Sequence, residues 1–86
     1  TGMAKQKSRP QRWGEALATA QDGLAEAIEV AAEYEEWREN LPENMESSGL
    51  AEKLDAMVEL KATLEEAQGS LEEAESADLP QGYGRD

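Results

Sequence analysis

Asn40-Leu41-Pro42-Glu43-Asn44-Met45-Glu46-Ser47-Ser48-Gly49 divides the chain into two long segments. Asn40 suits a helix end, and Pro42 forbids smooth continuation of a helix while biasing Leu41 toward extended backbone. Pro42 to Met45 has the makings of one short helical turn with proline in its first position. Ser47, Ser48 or Gly49 can then cap a second helix, and Gly49 with Glu52 three residues on has capping-box spacing. This stretch therefore predicts a corner between two helices.

Outward from the corner, both flanks carry the same periodicity. Upstream, Leu17, Ala20, Leu24, Ala27, Ala31 and Tyr34 are spaced 3,4,3,4,3. Downstream, Met57, Leu60, Leu64, Ala67, Leu71 and Ala74 repeat that spacing. This is the a/d pattern of a coiled coil. In the heptad lettering used below, Leu17 and Met57 are each an a position. Helix formers dominate both flanks, and no proline occurs between Pro10 and Pro42 or between Pro42 and Pro80. The expected architecture is all-α: an antiparallel two-helix hairpin with a helix over 10–39, a corner over 40–49 and a helix over 50–76. Gly23 and Gly69 fall inside the helices. They read as close packing, as tolerated defects, or as a thin waist, since the hairpin brings them roughly level.

The ends read differently. Residues 1–9 are polar, basic and aperiodic, and are expected to form a disordered arm, with Thr1-Gly2 ahead of Met3 set aside as a cloning remnant. Residues 78–86 contain Pro80, Gly82 and Gly84 and are expected to be a flexible tail that includes Tyr83.

The chain has 86 residues, 38% of them hydrophobic and many of those alanine, with no Phe. So little large apolar surface makes a lone hairpin marginal. Self-association into a homodimeric four-helix bundle through the Leu/Ala seams is the natural remedy. Neither Cys nor His is present. That removes disulfides, the usual ligands of zinc, haem and iron–sulfur groups, and any Ser–His pair for Ser47 or Ser48. Carboxylates abound, but acid–base catalysis needs one in a dry cleft, and a two-helix rod has no evident cleft. No enzyme activity and no cofactor are expected. No apolar run has membrane-spanning length, and the cytoplasm is the expected compartment.

Charge is unevenly placed. Lys5, Lys7, Arg9 and Arg12 give the first twelve residues +4 and leave −16 on the rest, for a net of −12. Such a body repels nucleic acid and attracts basic surfaces. Glu15, Asp22, Glu26, Glu29, Glu33 and Glu36 occupy c and f positions of the first helix, opposite the predicted seam. Glu52, Asp55, Glu59, Glu66 and Glu73 hold the equivalent face of the second. These rows read either as the solvated outside of a coiled coil or as a mimic of nucleic-acid phosphates. On the second reading Asp22, Glu26, Glu29, Glu33, Glu36, Glu52, Asp55 and Glu59 form a partner-binding face. Tyr34, Trp37, Leu41, Pro42 and Met45 gather at the corner. They read either as a local core or as a recognition tip, because aromatic side chains anchor interfaces disproportionately.

Trp37-Arg38-Glu39-Asn40-Leu41-Pro42-Glu43-Asn44-Met45-Glu46-Ser47, followed by Ala51-Glu52-Lys53-Leu54, resembles small acidic helical proteins of phage and prophage genomes. Those proteins carry a W-x-x-N-L-P-E-N corner between two helices and have no assigned activity. The resemblance covers residues 34–54 and implies a mobile-element origin. It supplies no catalytic residue. Together with the acidic rows it points to a phage protein that inhibits or modulates a basic, nucleic-acid-handling host protein. The alternatives are a structural or adaptor coiled coil of a phage particle, and a nucleic-acid-associated protein acting through residues 3–12.

Overall fold

The computed structural model describes residues 7–80. Of the predicted arm over 1–9, residues 1–6 lie outside the described residues, while Ser8 and Arg9 already belong to the start of the first helix; of the predicted tail over 78–86, residues 81–86, Tyr83 included, lie outside.

Helix α1 runs Arg9–Glu39 and helix α2 runs Gly49–Glu75, joined by a corner that contains a 3-10 turn at Glu43–Met45. The two helices pack against each other as an antiparallel hairpin. Both boundaries near the corner follow from the residues there. Asn40 ends α1, and its side-chain amide donates to the carbonyl of Glu36 at 3.0 Å. Pro42 precedes the 3-10 turn in extended backbone instead of occupying the turn's first position. Ser48 begins α2: its Oγ accepts from the Ala51 amide at 3.2 Å and donates to the Met45 carbonyl at 2.7 Å. One hydroxyl thus caps the helix and fastens the corner. At the far end Ser8 caps α1 by accepting from the Gln11 amide at 3.2 Å, and places Pro10 in the first turn, where a missing N–H is harmless.

The seam between the helices differs from the a/d expectation. Ala20 and Leu60, both d positions, are exposed, Leu60 by 50%. Gln21, Ile28 and Glu35 of α1, with Leu54, Lys61 and Gln68 of α2, take up the contact from e positions. The Gln21 side-chain amide reaches the Gln68 carbonyl at 3.5 Å, and Lys61 Nζ reaches Glu35 Oε1 at 3.4 Å. The contact is therefore centred on the a and e columns, with Ala27, Tyr34, Ala67 and Ala74 of the d columns half-buried beside it. The cause is side-chain length: Lys61 and Glu35 lay their aliphatic stems along the interface and pair their charged heads at its rim. Leu60, with no polar head to satisfy, is turned outward beside them.

Only Ala31, Ala51 and Leu54 are fully buried among the described residues, at 1%, 1% and 2% exposure. All three lie toward the corner, where Leu41, Met45 and Leu50 are half-buried around them. Gly23 and Gly69 are exposed, and a Cβ on either would meet nothing within 4 Å. Close packing within the hairpin does not account for them.

Candidate protein-interaction surfaces

The two helices present four long surfaces: the outer edge of each helix and the two sides where both are visible. The outer edges hold the acidic rows. Asp22, Glu26, Glu29, Glu33 and Glu36 on α1 and Glu52, Asp55 and Glu59 on α2 are all exposed. Helical periodicity sets neighbours three or four residues apart about 5–6 Å from each other at Cβ. Because each row faces away from the partner helix, the two rows point in opposite directions. The structure therefore divides the predicted acidic face into two edges, which one flat groove cannot touch together. Asp55 also departs from its row: Arg38 Nε donates to its Oδ1 at 2.7 Å.

That contact belongs to the first of the two sides. Here the e columns meet, and cross-helix ion pairs tie the surface. Arg38 bridges Asp55 and, at 3.3 Å, Glu46, so one guanidinium joins α1, the corner and α2. Its pKa is raised, chiefly by the hydrogen bond to Asp55. Lys61 joins Glu35 to Glu65, the latter at 3.7 Å. Arg38 and Lys61 are the cross-helix ties that periodicity overlooks. Their signal was their surroundings, since Arg38 sits between Glu36 and Glu39 and Lys61 lies four residues before Glu65.

The second side carries the d and g columns of both helices. Trp13 Nε1 donates across it to the Ala74 carbonyl at 3.3 Å, a d-to-d contact that closes the open end of the hairpin. Val30, Trp37 and Leu60 are 40%, 49% and 50% exposed on this side. Trp37 stacks on Tyr34 with ring centroids 6.2 Å apart and planes 19° from parallel. Val30, Glu33, Tyr34 and Trp37 frame an open depression of about 330 Å³.

The predicted corner set is thus divided. Leu41 and Met45 are half-buried and help hold the bend, Pro42 is exposed on its outside, and Tyr34 and Trp37 turn onto the d/g side. Val30 and Leu60, which periodicity did not single out as surface groups, join them there.

At the open end Lys7 Nζ donates to Glu15 Oε1 at 2.6 Å. This hydrogen bond is the main reason the Glu15 carboxyl lies below its ordinary pKa. Glu15 is thereby engaged at the end of its row. Among the described residues no group of three or more acidic side chains is arranged to hold a metal ion. No described helix is long and apolar enough to cross a membrane. The exposed carboxylates stand in water, where they attract basic groups by long-range charge.

No protein family, curated protein or solved structure matches the chain.

Proposed function

We propose that this chain is a non-enzymatic, phage-derived binding protein that inhibits or modulates a basic, nucleic-acid-handling host protein in the host cytoplasm by imitating nucleic acid. Its working form in this reading is a homodimer. The observation that carries the reading is the row of exposed carboxylates along the outer edge of α1. From Glu15 to Glu36 six acids are spread over about 32 Å of helix, roughly one charge per 6 Å. One strand of duplex DNA carries one charge per about 3.4 Å. A single row therefore has about half the density of a phosphate strand, enough to attract a basic groove but sparse as a replica. The acidic body does not itself bind nucleic acid, because like charges repel.

The test is retention of proteins from a host lysate on the immobilised chain, competed with duplex DNA and with salt. The expected result is capture of a nucleic-acid-handling protein that both DNA and raised salt release. Capture that is insensitive to salt overturns electrostatic mimicry. The second reading, a structural or adaptor module of a phage particle, is favoured by the exposed Val30, Trp37 and Leu60, which suit an assembly contact.

A further inference from the structure

The d/g side of the hairpin is unlike the rest of the surface. In a chain with 20 acidic residues, the d and g columns of α1 from Trp13 to Trp37 contain no acid, and neither do those of α2 from Gly49 to Ala77. Lys53 is the one charged residue within those spans. The opposite, e/b side carries Glu35, Glu39, Glu65, Glu72 and Glu75. Among the described residues, three of the four large hydrophobics exposed by 40% or more, Val30, Trp37 and Leu60, lie on the d/g side, with Glu33 bordering them from a c position, and the fourth, Trp13, lies at its open end.

We propose that this side is the interface of an antiparallel homodimer, in which α1 lies on α1 and α2 on α2 of a second copy about a two-fold axis perpendicular to the rod. The inference rests on the homodimer of the reading proposed above and gives it an interface, and its test does not involve the host partner.

Three observations fix the occupant as a second copy in that orientation. The first is steric. Along α1 the acid-free columns are large near the corner, at Val30, Tyr34 and Trp37, and small from Ala16 to Ala27, with Trp13 beyond them held to Ala74 of its own hairpin. Turning a second α1 end for end sets Trp37 against Ala16, Tyr34 against Ala20, and Val30 against Gly23, with Ala27 meeting its own copy at the axis. Val30, Tyr34 and Trp37 then each face a small residue, as interdigitated packing requires, while Trp13 stays on Ala74 of its own hairpin. Gly23, which touches nothing in the single hairpin, gains a neighbour. The same operation on α2 sets Leu60 against Ala67 and centres near Thr63 and Leu64. The contacts Trp13 to Ala74, Gln21 to Gln68 and Arg38 to Asp55 place residue 27 of α1 level with residues 63–64 of α2. One axis therefore serves both helices, as two-fold symmetry demands.

The second observation is charge. End-for-end pairing places Arg12, in the basic first twelve residues, beside Glu43 at the second copy's corner. Lys53 falls beside Glu73. A parallel pairing would set like ends together.

The third is area. A face two helices wide and about 40 Å long covers roughly 800 Å² per copy, the size of a standard stable interface. The hairpin alone buries too little to make that cover superfluous.

The arrangement has a consequence for the outer edge. The α1 acidic rows of the two copies come to lie side by side. Their joint density is about one charge per 3 Å, close to that of a DNA strand.

Sedimentation of the full chain tests the proposal. The chain should sediment at twice its 9.4 kDa mass at micromolar concentration. Val30→Glu and Leu60→Glu place charges on the side and should weaken the dimer about a hundredfold or more while leaving helix content unchanged. Ala25→Glu, on an exposed position of the other side, should leave it intact. Orientation is read by a short bis-maleimide in this cysteine-free chain: Ala27→Cys should crosslink to its copy, and Trp37→Cys should not. A monomer at hundreds of micromolar overturns the proposal. So does crosslinking at Trp37→Cys with none at Ala27→Cys. So does a monomer that captures another protein through Val30, which would make the side a docking face for a different chain.

Discussion

The two sides of the hairpin solve the same covering problem in opposite ways. On the e/b side the stems of Arg38 and Lys61 lie over the seam and pair with Asp55, Glu46, Glu35 and Glu65, while Asp55, Glu46 and Glu65 themselves stay more than half exposed. On the d/g side Trp13 reaches the Ala74 carbonyl at the open end, and Val30, Trp37 and Leu60 remain open to water. A single helix pair can bury only one stripe per helix. The e columns have long side chains that can cross the seam and still reach water, so the hairpin closes there. The d columns, rich in alanine, gain less from closure within the chain: Ala27, Tyr34, Ala67 and Ala74 are half-buried, and Ala20 and Leu60 are left for an external surface. The difference shows that the stripe most hydrophobic in sequence is not necessarily the one buried within the chain.

The comparison can be broken first at the core. Leu54, 2% exposed at an e position, and Leu60, 50% exposed at a d position, should behave oppositely although they are the same residue. Leu54→Ala should cost about 2–4 kcal/mol in urea unfolding. Leu60→Ala should cost well under about 1 kcal/mol at concentrations where the hairpin is monomeric. Equal losses would restore the a/d seam. Ser48→Ala comes next, at about 1 kcal/mol, because it removes both the α2 cap and the tie to Met45. Its effect should exceed that of Ser8→Ala, which caps a free helix end. Gly69→Ala, on an outer edge with nothing near the new methyl group, should stabilise by about 0.5–1 kcal/mol. Gly23→Ala makes the same gain in helix propensity but loosens the dimer, so the two glycines separate edge from interface.

The smallest expected effect concerns Glu15. Its pKa is lowered by Lys7, so the pair's contribution is present above the ordinary carboxylate pKa and is lost as pH falls through the lowered value. Lys7→Ala should return Glu15 to the ordinary range in an NMR titration. Global stability should change little, since the pair is exposed.

The hairpin was legible because its punctuation is local. Asn40, Pro42 and Ser48 each have a backbone preference that needs no tertiary information, and the structure places both helix ends within a residue of the expected bounds. The Ser8 cap was hidden by the basic composition around it. The seam's rotation was not legible, because apolar periodicity ranks Leu60 above Lys61 and Ala20 above Gln21. The physical contact instead rewards side chains that bridge the two helices. The acidic rows were legible as rows, but their separation onto opposite edges depends on how the helices face each other. Tyr34 and Trp37 looked like part of the corner by sequence distance, and only the turn of the helix moves them to the d/g side.

The functional account rests on the outer edge of α1, and Glu26→Lys, Glu29→Lys and Glu33→Lys combined in one chain test it most directly. The measurement is how much of the nucleic-acid-handling protein this variant retains from host lysate, beside the unaltered chain. The account predicts that retention is lost while the chain still folds as a helical hairpin. Retention undiminished by reversing those three charges would contradict it.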